Sequence, residues 1–305
     1  MQTLRLWLNS PKSVDNELVE AALYVVGTPI GNLEDITFRA VRILAAVDLI
    51  AAEDTRHTGK LLHHYQIKTP QISYHEHNQQ QRIPEILQQL QRGKTIALVS
   101  DAGMPGISDP GYELVKACRD QSLTVIPIPG PTAAMTAIAA AGLPTERFVF
   151  EGFLPVKGRS RRDRLQGLQS EARTLIFYEA PHRLIKTLDD LAEVLGGDRL
   201  VVTARELTKR YEEFWQGSLE VAIAHYETTP PKGEFTLIVA GATALEPTIS
   251  APAEIQAALS ELMQQGLSRS QASRQVAQQT HLSRQEVYQL ALLLTGSDAE
   301  SVQPL

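Results

Sequence analysis

At 305 residues, with 43% hydrophobic and 21% charged side chains, the chain is too long for one ordinary core and too apolar for wholesale disorder. Cys118 is its one cysteine, which excludes a disulfide framework and a cysteine-based metal site and fits a reducing compartment. With 35 acidic against 29 basic side chains the net charge is -6, so any grip on nucleic acid must come from local basic patches.

Residues 1–20 show no clear periodicity and read as an N-terminal extension carrying Trp7. Regular alternation follows. Leu23-Tyr24-Val25-Val26 is a buried strand closed by Gly27, and Ile36, Ala40, Val41, Ile43, Leu44 and Val47 recur at helical spacing over 35–47. Leu49-Ile50-Ala51-Ala52 is strand-like and ends in Glu53-Asp54-Thr55-Arg56. A helix near Leu61, a weaker strand over 71–74 and a Gln-rich helix carrying Ile86, Leu87 and Leu90 come next, with Pro84 expected near the first turn of that helix. The strand over 95–99 leads into Ser100-Asp101, and a helix begins near Tyr112. The strand over 124–128 runs into Pro129-Gly130-Pro131-Thr132, after which a small-residue helix spans 133–141 with Pro131 at or near its first position.

Strand–helix alternation predicts a parallel sheet over 21–144, with ligands at the strand ends after Val26, Ala52, Val99 and Ile128. A second α/β domain is expected over 145–245. Its strands lie near Phe148, Leu175, Leu200, Phe214 and Phe235, and the last two have a mixed-sheet character. Glu246-Pro247-Thr248 and Ala251-Pro252 read as a linker. Over 250–305, Ser268 and Ser283 fit helix N-caps with capping-box partners Gln271 and Glu286, which suggests a small helix-turn-helix-like domain. Its Arg269, Arg274 and Arg284 are outnumbered by Glu254, Glu261, Glu286, Asp298 and Glu300, so docking or dimer support is as good a role as reading DNA. No stretch reaches membrane-spanning length, no cleavable signal is apparent, and a soluble cytoplasmic protein is expected.

The loops supply the chemistry. Gly27-Thr28-Pro29-Ile30-Gly31-Asn32-Leu33 is neither a dinucleotide fingerprint nor a Walker loop. The segment Ser100–Gly111 holds three glycines and two prolines after its first two residues and no lysine or arginine, which disfavours a polyphosphate. In it, Asp101 either binds a ligand hydroxyl or amino group or braces the loop, and Asp109 is a candidate cap for the next helix. Phe177-Tyr178-Glu179-Ala180-Pro181-His182-Arg183 puts a carboxylate, an imidazole and a guanidinium at one strand end. Lys157, Arg159, Arg161, Arg162 and Arg164 form a basic run that is either a solvated face or an RNA contact. The histidines show no zinc spacing, and no metal is expected.

Taken in order, Gly27–Leu33, Ala52–Thr58, Ser100-Asp101-Ala102-Gly103, Asp109-Pro110-Gly111, Pro129-Gly130-Pro131, Glu151-Gly152-Phe153-Leu154-Pro155, Phe177-Tyr178-Glu179, His182-Arg183, Ala204–Lys209 and Lys232-Gly233-Glu234 resemble the tetrapyrrole-methylase superfamily. The likeness covers about residues 22–241 and extends to a small terminal helical domain. It implies class III methyltransferase architecture: two α/β domains with S-adenosylmethionine in the cleft between them, usually in a homodimer. The matching branch 2′-O-methylates a cytidine of 16S ribosomal RNA, so 16S RNA or the small ribosomal subunit is the implied partner. Carried over, the cofactor residues are Pro29, Asp101, Ala102, Gly103, Ile107, Ser108, Thr132, Ala133, Tyr178 and Ala204. Met104 stands where a small hydroxyl residue is commoner, and Ser108 where an asparagine can occur.

A ribose hydroxyl needs a base or orienting acceptor, for which Glu53, Glu179, Glu206 and His182 are the candidates, beside Asp54 and His57. Arg56, Arg183, Arg205 and Lys209, with Lys157, Arg159, Arg161 and Arg162, are the candidate phosphate holders, each of which could instead form an internal salt bridge. The rivals are C-methylation of a corrin or other tetrapyrrole on the same scaffold, and a non-catalytic RNA-binding assembly protein.

Overall fold

A computed structural model describes residues 21–242, 252–277, 279–280 and 282–293. They fall into two compact units that divide between Ala242 and Thr243. The extension over 1–20 with Trp7, the linker residues 246–251, Asp298 and Glu300 lie outside the described residues.

The first unit holds two five-stranded sheets. In the first sheet β1 (Ala22–Val26), β2 (Leu49–Ala52), β3 (Gln71–Ser73), β4 (Ile96–Val99) and β5 (Thr124–Ile128) run parallel in the order β3-β2-β4-β1-β5. Every residue of β1, β2 and β4 is buried, which is why they read as continuous apolar runs. Helices α1 (Phe38–Ala46) and α2 (Thr55–His64) cover one face through Ala40, Ile43, Leu44 and Leu62. Helices α3 (Gln79–Gln91) and α4 (Tyr112–Asp120) cover the other through Ile86, Leu90, Leu114 and Cys118.

Because these strands all point one way, the loops after β4, β1 and β5 leave from three adjacent strand ends. They are tied to one another. Thr28 and Gly103 exchange backbone hydrogen bonds of 2.9 and 3.0 Å, and the Thr28 hydroxyl donates to the Ser100 carbonyl at 3.2 Å. A Cβ on Gly27 or on Gly130 would stand 2.7 Å from the other residue's Cα, so this crossing needs glycine on both loops.

The second sheet, β6 (Phe148–Phe153), β7 (Thr174–Glu179), β8 (Leu200–Arg205), β9 (Glu213–Ser218) and β10 (Phe235–Val239), has the order β6-β7-β10-β8-β9. Only β6 and β7 are parallel neighbours; β10 lies antiparallel between β7 and β8, and β9 is antiparallel to β8. The mixed character expected of the last two strands is therefore present. Helix α5 (Ala133–Ala140) leaves the first sheet yet buries Ala134, Ala137 and Ile138 against Ile176, Val202 and Ile238 of the second. Helices α6 (Arg159–Gly167), α7 (Leu184–Leu195) and α8 (Leu219–Thr228) cover the opposite face around Leu165, Leu188 and Leu219. Burial of a side chain such as Ile138 contributes about 1.5–3 kcal/mol, so α5 links the two halves through its apolar face.

Four local expectations change. The helix over 35–47 is a 3₁₀ turn at Leu33–Asp35 followed by α1, because the Thr37 hydroxyl caps the Ala40 amide and starts a new helix. Pro84 sits in the body of α3, which begins upstream of its apolar residues at Gln79. Pro131 lies outside α5, ahead of the N-cap Thr132, whose hydroxyl accepts from the Met135 amide. Gly111 rather than Asp109 occupies the N-cap of α4.

In the second unit α9 (Pro252–Gln264), α10 (Arg269–Ala277) and α11 (Arg284–Leu293) enclose Ile255, Leu259, Ala272, Val276, Val287 and Ala291. Both expected capping boxes form: the Ser268 amide donates to Gln271 Oε1 at 3.0 Å and the Ser283 amide to Glu286 Oε2 at 2.7 Å, with return bonds to both hydroxyls. Among the described residues no helix is long and apolar enough to cross a membrane.

Candidate active site

The strand ends of the two sheets enclose a cleft of about 490 Å³, a size suited to a small-molecule ligand. Ile30, Ala102, Gly103, Met104, Ile107, Ser108, Asp109, Thr132 and Ala133 line it from the first sheet. Phe153, Tyr178 to His182, Ala204, Leu207 and Glu234 to Thr236 line it from the second. The structure thus brings together Ala102, Gly103, Ile107, Ser108, Thr132, Ala133, Tyr178 and Ala204 from the expected cofactor set. The Tyr178 hydroxyl accepts from the Ala134 amide at 3.1 Å and joins the two walls.

Pro29 and Asp101 do not line the cleft. Ile30 faces it beside Pro29, and Asp101 is the brace that its loop allowed: its carboxylate accepts from the Asp54 amide at 3.1 Å, and its own amide donates to Glu53 Oε2 at 3.2 Å. Asp109, considered only as a cap, is instead a wall of the cleft. Burial and the charges of Glu53 and Asp101 push its carboxyl up to about 7, against an opposing hydrogen bond from Ser100. Ser108 holds a positive φ of 62°, so strain is stored in the loop at the cleft wall.

The lining includes no lysine or arginine, and Asp109, Glu179 and Glu234 are its carboxylates. Small residues (Ala102, Gly103, Ala133, Ala204) and apolar walls (Ile30, Ile107, Tyr178) suit a flat nucleoside, while this charge pattern suits a cation and opposes a polyphosphate. S-adenosylmethionine, a nucleoside bearing a sulfonium, fits that donor set.

The four expected bases separate on geometry. Glu53 ends β2 beside the cleft loops; burial raises its pKa, and the bond from the Asp101 amide opposes that shift. Glu179 borders the cleft, but its side chain is 0% exposed. It accepts from Thr187 Oγ1 at 2.6 Å and from the Ala180 amide at 2.8 Å, and pairs with Arg183. Burial pushes the Glu206 carboxyl up, but Lys209 at 2.8 Å and the Glu234 amide at 3.0 Å outweigh it and hold the group low. His182 borders the cleft with an exposed ring and no hydrogen-bond partner among the described residues.

The basic residues separate as well. Lys157, Arg159 and Arg162 are exposed, and Arg56 is exposed beside its ion-pair partner Asp54. Arg161 is 4% exposed and cannot face RNA. It donates to Asp190 Oδ2 at 2.7 Å, the Pro155 carbonyl at 3.0 Å and Thr187 Oγ1 at 2.9 Å. Arg183 donates to the Leu154 carbonyl at 2.7 Å, Arg205 to the Lys232 carbonyl at 2.7 Å and to Glu213, and Lys209 bridges Glu206 and Glu234. For these the internal bond, not a phosphate, is what the structure provides.

The family model for tetrapyrrole (corrin/porphyrin) methylases matches residues 22–222, and that for the RsmI C-terminal HTH domain matches residues 250–295. Ribosomal RNA small subunit methyltransferase I of Synechocystis sp. is 58% identical over 272 residues, covering 89% of this chain and 98% of its own. That of Escherichia coli O157:H7 is 52% identical over 244 residues, covering 79% and 85%. The chain belongs to the ribosomal RNA small subunit methyltransferase I family. In fold, this family member is similar to uroporphyrin-III-C-methyltransferase from Thermus thermophilus (TM-score 0.53, 20% identity, 72% of this chain and 94% of that one). It is likewise similar to cobalt precorrin-4 methyltransferase (TM-score 0.56, 16% identity, 72% and 95%).

Among the cleft residues not expected from the sequence are Asp109, Phe153, Glu234, Phe235 and Thr236. Asp109, Phe153 and Glu234 lie in the motifs that carry the resemblance and could have been found there. Phe235 and Thr236 look like ordinary strand core.

Proposed function

We propose that this chain transfers a methyl group from S-adenosylmethionine to the ribose 2′-hydroxyl of a cytidine in 16S ribosomal RNA, as a homodimer in the cytoplasm. The observation that carries the reading is the cation-free cleft between the two sheets, in a chain whose relatives at 45–58% identity are small-subunit RNA methyltransferases by name. The tetrapyrrole methylases that share the fold are 20% identical or less, and basic side chains Lys157, Arg159 and Arg162, exposed beside the cleft segment of Phe153, favour RNA over a tetrapyrrole.

When bound, S-adenosylmethionine supplies an electrophilic methyl group. Ala102, Gly103, Thr132, Ala133 and Ala204 would hold its flat parts, with Ile107, Ser108, Asp109 and Tyr178 around them. A ribose hydroxyl is a poor nucleophile until its proton is accepted. His182 is the candidate placed to take that proton, because it alone of the four combines a place in the cleft with an unengaged side chain. Glu179 acts through Arg183 and Thr187 to position the strand end that carries it.

The purified protein, given labelled S-adenosylmethionine and small subunits from cells lacking it, is expected to place the label on ribose in 16S RNA. His182→Ala is expected to lower the rate by about 10²–10⁴-fold with cofactor affinity retained. Label on a base, or on a corrin ring in place of RNA, overturns the proposal; full activity of His182→Ala removes His182 from it.

A further inference from the structure

Phe153 is an apolar side chain left 52% exposed in the wall of the cleft. Its direction comes from a register shift. Along β6, Phe150 pairs with Ile176, yet Gly152 pairs with Phe177 and Phe153 with Tyr178, so Glu151 is an extra residue. In a regular strand Phe153 would share the face of Val149, which packs into the core under α7 and α8. The bulge reverses that parity and turns Phe153 onto the face of Phe148, Phe150 and Tyr178. Gly152 makes the turn with a φ of 61°, and a Cβ there would stand 2.9 Å from Ser108 Oγ of the opposite wall.

The position is held firmly. The Phe153 and Tyr178 rings meet edge to face at 5.6 Å, and Tyr178 is itself bonded to the Ala134 amide. Directly after Phe153, the Leu154 carbonyl accepts from Arg183 and the Pro155 carbonyl from Arg161, so two arginines expected to grip phosphate instead pin this lip. Exposed Lys157, Arg159 and Arg162 follow in the same segment. Arg159 shares its charge with Asp163 at 3.3 Å on the surface, while all three cations stay open to solvent. A fixed, exposed aromatic ring followed by solvent-facing cations is the arrangement that binds an unstacked nucleotide: the ring takes the base and the cations take neighbouring phosphates.

We propose that Phe153 is the stacking platform for the base of the RNA nucleotide to be methylated. The inference rests on the ribose-methylation reading above and deepens it by stating that the target base is out of its stack and lies on this ring. The small-residue floor of the cleft is left to the cofactor.

The test compares Phe153→Ala, Phe153→Leu and Phe153→Trp in the full chain, using small subunits from cells lacking the protein. S-adenosylmethionine affinity is measured by calorimetry, and methyl transfer is followed at limiting and saturating subunit. The Ala and Leu variants are expected to lose roughly ten- to a hundredfold in transfer at limiting subunit, with cofactor affinity unchanged, whereas the Trp variant keeps most of the activity. Cofactor affinity falling in step with transfer overturns the proposal by placing the ring against the cofactor. Wild-type transfer by Phe153→Ala overturns the platform while leaving the methylation reading intact. A wild-type protein inactive on small-subunit RNA defeats both.

Discussion

Replacing Arg161 with alanine is expected to cost about 3–5 kcal/mol of stability, read as a lower urea midpoint at unchanged slope. The guanidinium is buried and satisfies three acceptors on two segments: the Pro155 carbonyl just after β6, and Thr187 and Asp190 of α7. Removing it strands the Asp190 carboxylate, which keeps only the longer contact to Lys186 at 3.6 Å, and frees the Thr187 hydroxyl that orients Glu179. Arg159→Ala and Arg162→Ala should behave oppositely. Both side chains are exposed, so their stability should change by no more than about 0.5 kcal/mol. Their RNA affinity should fall, and the salt dependence of binding should become shallower. An Arg161→Ala protein of normal stability but poor RNA binding would contradict this division.

Gly130→Ala should destabilise the first unit by about 1–3 kcal/mol and weaken cofactor binding together. The added methyl would meet the Cα, carbonyl carbon and oxygen of Gly27 at 2.7–2.9 Å, and backbone at that distance cannot move aside without parting the loops after β1 and β5. Those loops carry Ile30, Thr132 and Ala133 into the cleft. Gly167→Ala is the control. It lies at the end of α6 with nothing within 4 Å of an added Cβ, and it should be neutral or slightly stabilising in a melt, with cofactor affinity unaltered. Equal behaviour of the two variants would refute the claim that the crossing shapes the cleft.

Much of the first sheet was legible because its central strands are covered on both faces and therefore read as unbroken apolar runs. The cleft loops were legible for a different reason: Ser100–Gly111 and Pro129–Thr132 are dense in glycine and proline where ligands approach backbone. What stayed hidden depends on contacts distant in sequence. Nothing near Asp101 shows that its partners are Glu53 and Asp54, nor that Asp109 faces the cleft. The bulge at Glu151 shifts a period-two pattern by one residue and looks like ordinary alternation until β7 is alongside. Arg161 was hidden only in part. With Leu165 and Leu168 it forms an i, i+4, i+7 series, and all three are buried, so a helical period was there to divide it from Arg159 and Arg162, though the basic run was read as one.

Methyl transfer to a cytidine ribose of small-subunit RNA can be read by mass mapping of modified nucleosides in 16S RNA from cells with and without the protein. In the absence of the protein 2′-O-methylcytidine is expected to be lost at a single position, and to return when the wild-type chain is restored but not when His182→Ala is supplied. An unchanged nucleoside map, or the loss of a methyl group from a base rather than a ribose, would contradict it.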